Sequence, residues 1–127
     1  MRIAVTGGAG FIGSNFIRYW AWKHPQDVVT NFDLLTYAGN RDVIREFREN
    51  KKVRFVQGDI CDRKRVDSLL KNQDTVFHFA AETHVDRSIL DSQIFLKTNV
   101  IGTHTLLESA RQNKIRKFIF ISTDEVY

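Results

Sequence analysis

Asp124 and Glu125 stand side by side in S-T-D-E-V-Y, directly after an apolar run. Adjacent acids on an extended segment point different ways, so they suit two different proton transfers on one substrate. The plain alternative is a pair of solvated loop charges. A second stretch with chemical content lies near the other end, in T-G-G-A-G-F-I-G. Gly7, Gly10 and Gly13 give G-x-x-G-x-x-G, and Gly8, Gly10 and Gly13 also satisfy G-x-G-x-x-G. Either pattern alone is weak, but here it follows an apolar run, opens a helical pattern and precedes an acid, Asp33, twenty residues after Gly13. Glycines permit a tight turn and close backbone approach, so the helix N-terminus can face a pyrophosphate with free N–H groups. Asp33 stands where a carboxylate can accept from a ribose diol, and its charge would repel a 2′-phosphate, which favours NAD over NADP. A ligand-free glycine turn and a turn aspartate are the structural alternatives.

Five short apolar runs must position these groups: I-A-V-T (3–6), V-V-T-N-F (28–32), V-R-F-V (53–56), T-V-F-H-F (75–79) and F-I-F-I (118–121). Val, Ile and Phe dominate most of them, as in strands buried on both faces. Helical spacing lies between. Ile12, Phe16 and Trp20 fall four apart along one side, Val43, Ile44 and Phe47 form a stripe, and Val66, Leu69 and Leu70 form another. Ser92 to Asn113 carries Ile94, Phe95, Thr98, Ile101, Thr105 and Leu106 at the same period, with Gly102 in the middle as a sign of close packing. Strand and helix alternate, which predicts an α/β, Rossmann-like, mostly parallel five-stranded sheet with helices on both faces. Ligands of such a sheet bind at the carboxyl ends of the strands. Small and polar residues gather there: the glycine loop, D-L-L-T, G-D-I, A-A-E-T-H-V-D-R-S and S-T-D-E.

The 127 residues make one domain with 43% apolar and 27% charged residues, ordinary for a globular protein. No stretch reaches the roughly 20 apolar residues that cross a bilayer, and M-R-I-A-V-T running into a glycine loop is not expected to act as a secretory signal. No membrane partner is expected. Cys61 is the single cysteine, read as a small buried hydrophobe in a reducing cytoplasm. The net charge of +4 raises nucleic acid as a partner. However, Lys51-Lys52 and Lys114-Arg116-Lys117 precede the third and fifth strands, at the edge away from the crevice, and read as a solvated rim rather than a nucleic-acid groove. His78, within a strand, is expected to be a hydrogen-bonded core residue. His84 lies in the crevice stretch with Glu82, Asp86 and Arg87, and its spacing to Asp86 does not suggest a metal site.

T-G-G-A-G-F-I-G-S, D-L-L-T-Y-A-G-N, G-D-I, H-F-A-A-E-T-H-V-D-R-S-I, T-N-V-I-G-T and I-S-T-D-E-V-Y together resemble the dTDP-glucose 4,6-dehydratase family of extended short-chain dehydrogenase/reductases, from Met1 to Tyr127. The glycine motif is common to that superfamily; A-A-E-T-H-V-D-R-S with S-T-D-E-V-Y is far more specific. The resemblance implies an NAD-binding domain followed by a smaller domain that grips the nucleotide-sugar, here dTDP-glucose. Phe11 and Ile12 would offer backbone to the pyrophosphate beside Gly7, Gly10 and Gly13. Asp33, Leu34, Leu35 and Thr36 would surround the adenosine ribose, while Asp59 and Ile60 flank adenine. Phe79, Ala80, Ala81 and Thr98 would line the cofactor's path, with Thr83 and His84 toward the sugar. Thr123 would hydrogen-bond the C4 oxygen, Asp124 would protonate the departing C6 hydroxyl and Glu125 would take the C5 proton. Ser92 stands where the family often has proline.

The family draws its C4 base from a Tyr-x-x-x-Lys motif further along, and Tyr127 belongs instead to the end of E-V-Y. The chain is expected to lack that pair, the later strands and the C-terminal substrate domain, and so to be inactive as an isolated fragment. A homodimer or larger homo-oligomer is expected, through an exposed edge at the fifth strand and the helix from Ser92. A piece of a UDP-sugar dehydratase or epimerase, and a non-enzymatic NAD-binding module, remain as alternative readings.

Overall fold

The computed structural model describes residues 1–34, 41–51, 53–79 and 97–122. Five parallel strands, β1 (Arg2–Thr6), β2 (Val28–Asp33), β3 (Val53–Gln57), β4 (Thr75–His78) and β5 (Lys117–Phe120), form one sheet in the order β3-β2-β1-β4-β5. β1 is central, and Ile3, Ala4, Val5 and Thr6 are fully buried, which is why that run is so apolar. Strand alternation sends its side chains to two cores. Ile3 and Val5 join Val29, Val53 and Phe77 beneath α1 (Phe11–Lys23) and α2 (Arg41–Glu49), through Ile17, Val43 and Phe47. Ala4 joins Phe32, Val76 and Ile60 beneath α3 (Arg63–Leu70) and α4 (Thr103–Gln112), through Val66, Leu69, Leu70, Leu106 and Ala110. Each fully buried aliphatic or phenyl side chain contributes roughly 1.5–3 kcal/mol. The chain winds outward from β1 to β3 and then crosses back past β1 to β4, so the winding direction reverses between β1 and β4.

The strands fall on the five apolar runs, and the stripes of α2 and α3 are buried as their spacing predicts. The stripe of α1 differs. Ile12 is 63% exposed, and the buried positions are Gly13, Ser14 and Ile17, with Phe16 and Trp20 packed partly against the core. The small residues lie inside because the helix starts against the glycine loop, where no larger side chain fits. The long helix expected from Ser92 is described from Lys97. The described part runs as a π-helical segment, Lys97–Gly102, and continues as α4, so its face is not a single 3.6-residue stripe, and Ile101 is exposed while Leu106 is buried. Gly102 does mark close packing, since a Cβ there would lie 2.4 Å from Ile60 Cδ1. Cys61 is half-buried rather than buried, because it sits at the turn into α3 with its N–H donating to Asp59 Oδ1 at 2.9 Å. Asp62 then caps α3, its Oδ1 accepting from Arg65 N–H. Lys51 precedes β3, and Lys114, Arg116 and Lys117 lie at the start of β5, opposite the carboxyl edge. Among the described residues, no helix is long and apolar enough to cross a membrane.

His78 is a core residue at the end of β4. Its Nδ1 lies 2.7 Å from Thr6 Oγ1 and its Nε2 3.0 Å from Thr103 Oγ1, so one ring joins β1, β4 and α4. The ring also stacks on Phe120, with centroids 5.1 Å apart. Burial pushes the imidazole down to about 4 from its ordinary 6.5, which keeps it neutral. Below pH 6.5 the unfolded chain takes up a proton that the folded chain refuses until about pH 4. The stability contributed by this site is complete above pH 6.5 and is lost between there and about 4, by at most on the order of 3 kcal/mol. We expect urea midpoints of the wild type to fall over that interval more steeply than those of His78→Gln; equal pH slopes would show that His78 is not the group responsible.

Candidate functional site

The glycine loop crosses the carboxyl end of β1, between β2 and β4. Hydrogen bonds continue past the strand ends on both sides: Gly7 N–H donates to Phe32 O at 3.0 Å and Phe79 N–H to Thr6 O at 2.9 Å. Further out, Gly58 N–H donates to Asp33 O at 3.0 Å and Ile121 N–H to His78 O at 3.1 Å. The segments after all five strands therefore begin along one edge, as the sequence predicts. Gly7 has φ 74°, a left-handed conformation natural to glycine. Gly10 N–H closes the turn on Gly7 O at 3.2 Å.

α1 starts immediately, and its first bond runs from Ser14 N–H to Gly10 O at 2.9 Å. The N–H groups of Phe11, Ile12 and Gly13 precede that bond and have no acceptor among the described residues. Three amides at the positive end of a 13-residue helix form a ready anion site. The side chains of Phe11 and Ile12, 85% and 63% exposed, stand outside the sheet rather than in the core. Gly13 is needed for contact: a Cβ there would lie 2.4 Å from Gly7 O and 2.9 Å from Gly8 Cα. The loop and the first helical turn thus touch backbone to backbone, leaving a shallow cradle above them. A dinucleotide fits this arrangement, because the cradle supplies N–H donors for a diphosphate and Asp33 a carboxylate beside it.

Asp33 ends β2 and is almost fully buried, and its Oδ2 accepts from Ala9 N–H at 2.8 Å. It is no solvated turn aspartate. The carboxylate holds the loop through that bond. Leu34, next along, is 45% exposed. Asp59 sits beyond β3, its Oδ1 turned to Cys61 N–H, while the Ile60 side chain is buried against Gly102 and offers only backbone to the edge. Phe79 is half-buried beside Phe16, with ring centroids 5.1 Å apart. Gly7, Gly10, Phe11, Ile12, Gly13, Asp33, Leu34, Asp59, Ile60 and Phe79 are thus all at or next to the carboxyl edge. Thr98 belongs to the π-helical segment, its side chain undescribed. Leu35, Thr36, Ala80, Ala81, Thr83, His84, Thr123, Asp124 and Glu125 lie outside the described residues.

One correction and one omission concern this site. A Tyr-x-x-x-Lys spacing does occur in the sequence, at Tyr19 and Lys23, contrary to the expectation that the chain has none. It is not the family's pair, since it lies in the second half of α1. Tyr19 is eight residues beyond Phe11, roughly 12 Å along the axis at 1.5 Å per residue, and is 52% exposed. The omission is Asn31. This fully buried side chain accepts from Gly8 N–H through Oδ1 at 3.1 Å, and its Nδ2 has no partner among the described residues. Leaving a buried amide donor unmet costs about 1–3 kcal/mol. The signal was present in V-V-T-N-F-D, a polar amide within an apolar strand, two residues before the carboxylate and therefore on the same face. Among the described residues no cluster of His, Cys, Asp and Glu could hold a metal ion.

The chain is 53% identical over its whole length to the low-salt glycan biosynthesis protein Agl12 of Haloferax volcanii and 50% identical to the dTDP-glucose 4,6-dehydratase of Mycobacterium tuberculosis. It spans 41% and 38% of those relatives' lengths. Among solved structures, a dTDP-glucose 4,6-dehydratase, DesIV, from Streptomyces venezuelae with NAD and TYD bound superposes over the entire chain with a TM-score of 0.93 at 47% identity, the chain covering 41% of it. The family model for GDP-mannose 4,6 dehydratase matches residues 4–127. With the glycine turn, the exposed helix amides and Asp33 on one sheet edge, these matches establish that the chain belongs to the GDP-mannose 4,6 dehydratase family.

Proposed function

We propose that this chain is the NAD-binding part of a dTDP-glucose 4,6-dehydratase. The observation that carries the reading is the N–H row of Phe11, Ile12 and Gly13, without acceptors among the described residues, beside Asp33, in a fold superposing on an enzyme solved with NAD. Gly7 and Gly10 shape the turn, Phe11 and Ile12 donate to the diphosphate, and Asp33 accepts from the adenosine ribose. Leu34, Leu35 and Thr36 complete the ribose side, Asp59 and Ile60 the adenine side, and Phe79, Ala80, Ala81 and Thr98 the path toward the nicotinamide. When bound, NAD supplies the hydride acceptor for C4 of the sugar and returns the hydride to C6.

The chain's own residues move the protons. Oxidation at C4 makes the C5 proton acidic, and Glu125 removes it while Asp124 protonates the departing C6 hydroxyl, so that water leaves. Thr123 holds the C4 oxygen, and Thr83 and His84 meet the sugar. Thr123 follows β5 by three residues in sequence, and β5 ends at the same edge as the glycine loop, which supports an approach of these acids to the cofactor. The chain spans 41% and 38% of the lengths of the two relatives above, and among the described residues near this edge none stands as the C4 base; in this reading the 127 residues form the NAD-binding part of the enzyme and would not turn over alone. A fragment of a UDP-sugar enzyme would use the same cradle, and full-length protein offered dTDP-glucose and UDP-glucose separates the two. In the same reading the protein is cytoplasmic, in keeping with a single cysteine.

The cofactor assignment is tested by calorimetric titration of this chain with NAD. We expect saturable binding, weakened about 10- to 100-fold in Asp33→Ala, the range of a lost hydrogen bond to a charged group. Asp33→Asn keeps an oxygen for Ala9 N–H but loses the charge, so NAD binding should survive with less discrimination against NADP. No binding by the wild type would overturn the assignment.

The assembly is proposed to be a homodimer or larger homo-oligomer. Val100, His104 and Leu107 recur at helical spacing and are all exposed, and Ile119 and Phe120 on the edge strand are 40% and 48% exposed. Light scattering at micromolar concentration should give at least twice the chain mass; a monomeric mass would refute it.

A further inference from the structure

Asn31 is oddly placed for its chemistry. It is fully buried in β2, opposite Val5 of β1, with one amide hydrogen-bonding group used and the other unmet. A valine would suit a central strand better and would bury no orphan donor. What the asparagine supplies is a fixed direction for one peptide. The unit joining Gly7 and Gly8 is planar, so holding the Gly8 N–H on Asn31 Oδ1 turns the Gly7 C=O to the opposite side. There Gly7 O accepts from Gly10 N–H and meets the glycine face of α1, 2.4 Å from where a Gly13 Cβ would be. Gly8 itself leaves room for this contact, since a Cβ on it would lie 2.4 Å from Asn31 Oδ1. Two residues on, Asp33 Oδ2 takes the N–H of Ala9. β2 therefore holds three successive loop amides, those of Gly7, Gly8 and Ala9, through the Phe32 carbonyl, Asn31 and Asp33.

We propose that Asn31 is a positioning residue for a dinucleotide's diphosphate: by fixing the Gly7–Gly8 peptide it sets where α1 begins and aims the N–H groups of Phe11, Ile12 and Gly13. The proposal deepens the cofactor reading above and rests on it. Asn31 touches no ligand itself. Its removal should weaken ligands that carry the diphosphate and spare those that do not, whereas a purely structural role would weaken both.

The test compares the wild type with Asn31→Val. Hydrogen exchange of individual amides, read by NMR without ligand, should show Gly8 protected in the wild type and exchanging at least about ten-fold faster in the variant, while β1 amides stay protected. Titrations should show ADP bound about ten-fold more weakly by the variant and adenosine bound equally. If Asn31→Val does not fold, Asn31→Ala is read in the same way. An unprotected Gly8 amide in the wild type, unchanged ADP affinity in the variant, or equal losses for ADP and adenosine would each overturn the proposal. Failure of the wild type to bind ADP at all would instead bring down the cofactor reading, and this role with it.

Discussion

The backbone of Gly13 rests against the carbonyl of Gly7, and most of the described site depends on that contact. It requires two positions without side chains, a turn tight enough to reverse the chain within a few residues, and a helix that starts with no polar side-chain cap. The absence of a cap matters, because a serine or aspartate at that position would take the same amides the cradle presents. Ser14 and Asn15 are polar residues within the first turns, and their side chains donate to Phe11 O, leaving the leading N–H groups alone. The sheet then supplies what the loop cannot provide for itself, since among the described residues Asn31 and Asp33 of β2 hold the Gly8 and Ala9 N–H groups.

The two cores explain why this arrangement is firm. Ile17 packs against Ile3, Val5 and Val29, so α1 is seated on the sheet by its middle rather than by its exposed start. On the other face, α3 and α4 cover Ala4, Phe32 and Val76, and His78 links that layer to β1 through Thr6 and Thr103. Its neutral ring bridges strand and helix without placing a charge next to the crevice.

Much of this was readable from residue order. The runs of Val, Ile and Phe located the five described strands, and glycine spacing with Asp33 located the cradle, because periodicity and backbone freedom are local properties. Contacts between distant segments were not readable in the same way. The exposure of Ile12 depends on α1 meeting a loop instead of a flat sheet. The π-helical segment ends at Gly102, which meets Ile60, 42 residues earlier. Asn31 is a polar exception in an apolar strand, and its bond to the Gly8 N–H exists only once the loop folds over β2. The half-burial of Cys61 likewise follows from the turn made by Asp59, not from the hydrophobicity of a thiol.

The cradle is also electrically unusual for a place suited to two phosphates. Residues 7–16 contain no lysine or arginine, and among the described residues the titratable side chain bonded to the loop is an acid, Asp33. Whatever attraction the helix start exerts comes from oriented amides, which act at contact distance and carry no net charge. Ion pairs weaken as salt shortens the Debye length to about 10 Å at 0.1 M, whereas short hydrogen bonds from a fixed backbone are much less exposed to that screening. A diphosphate held here would be retained by shape and direction across a wide range of ionic strength, and the basic rim at the opposite edge of the sheet would have little part in drawing it in.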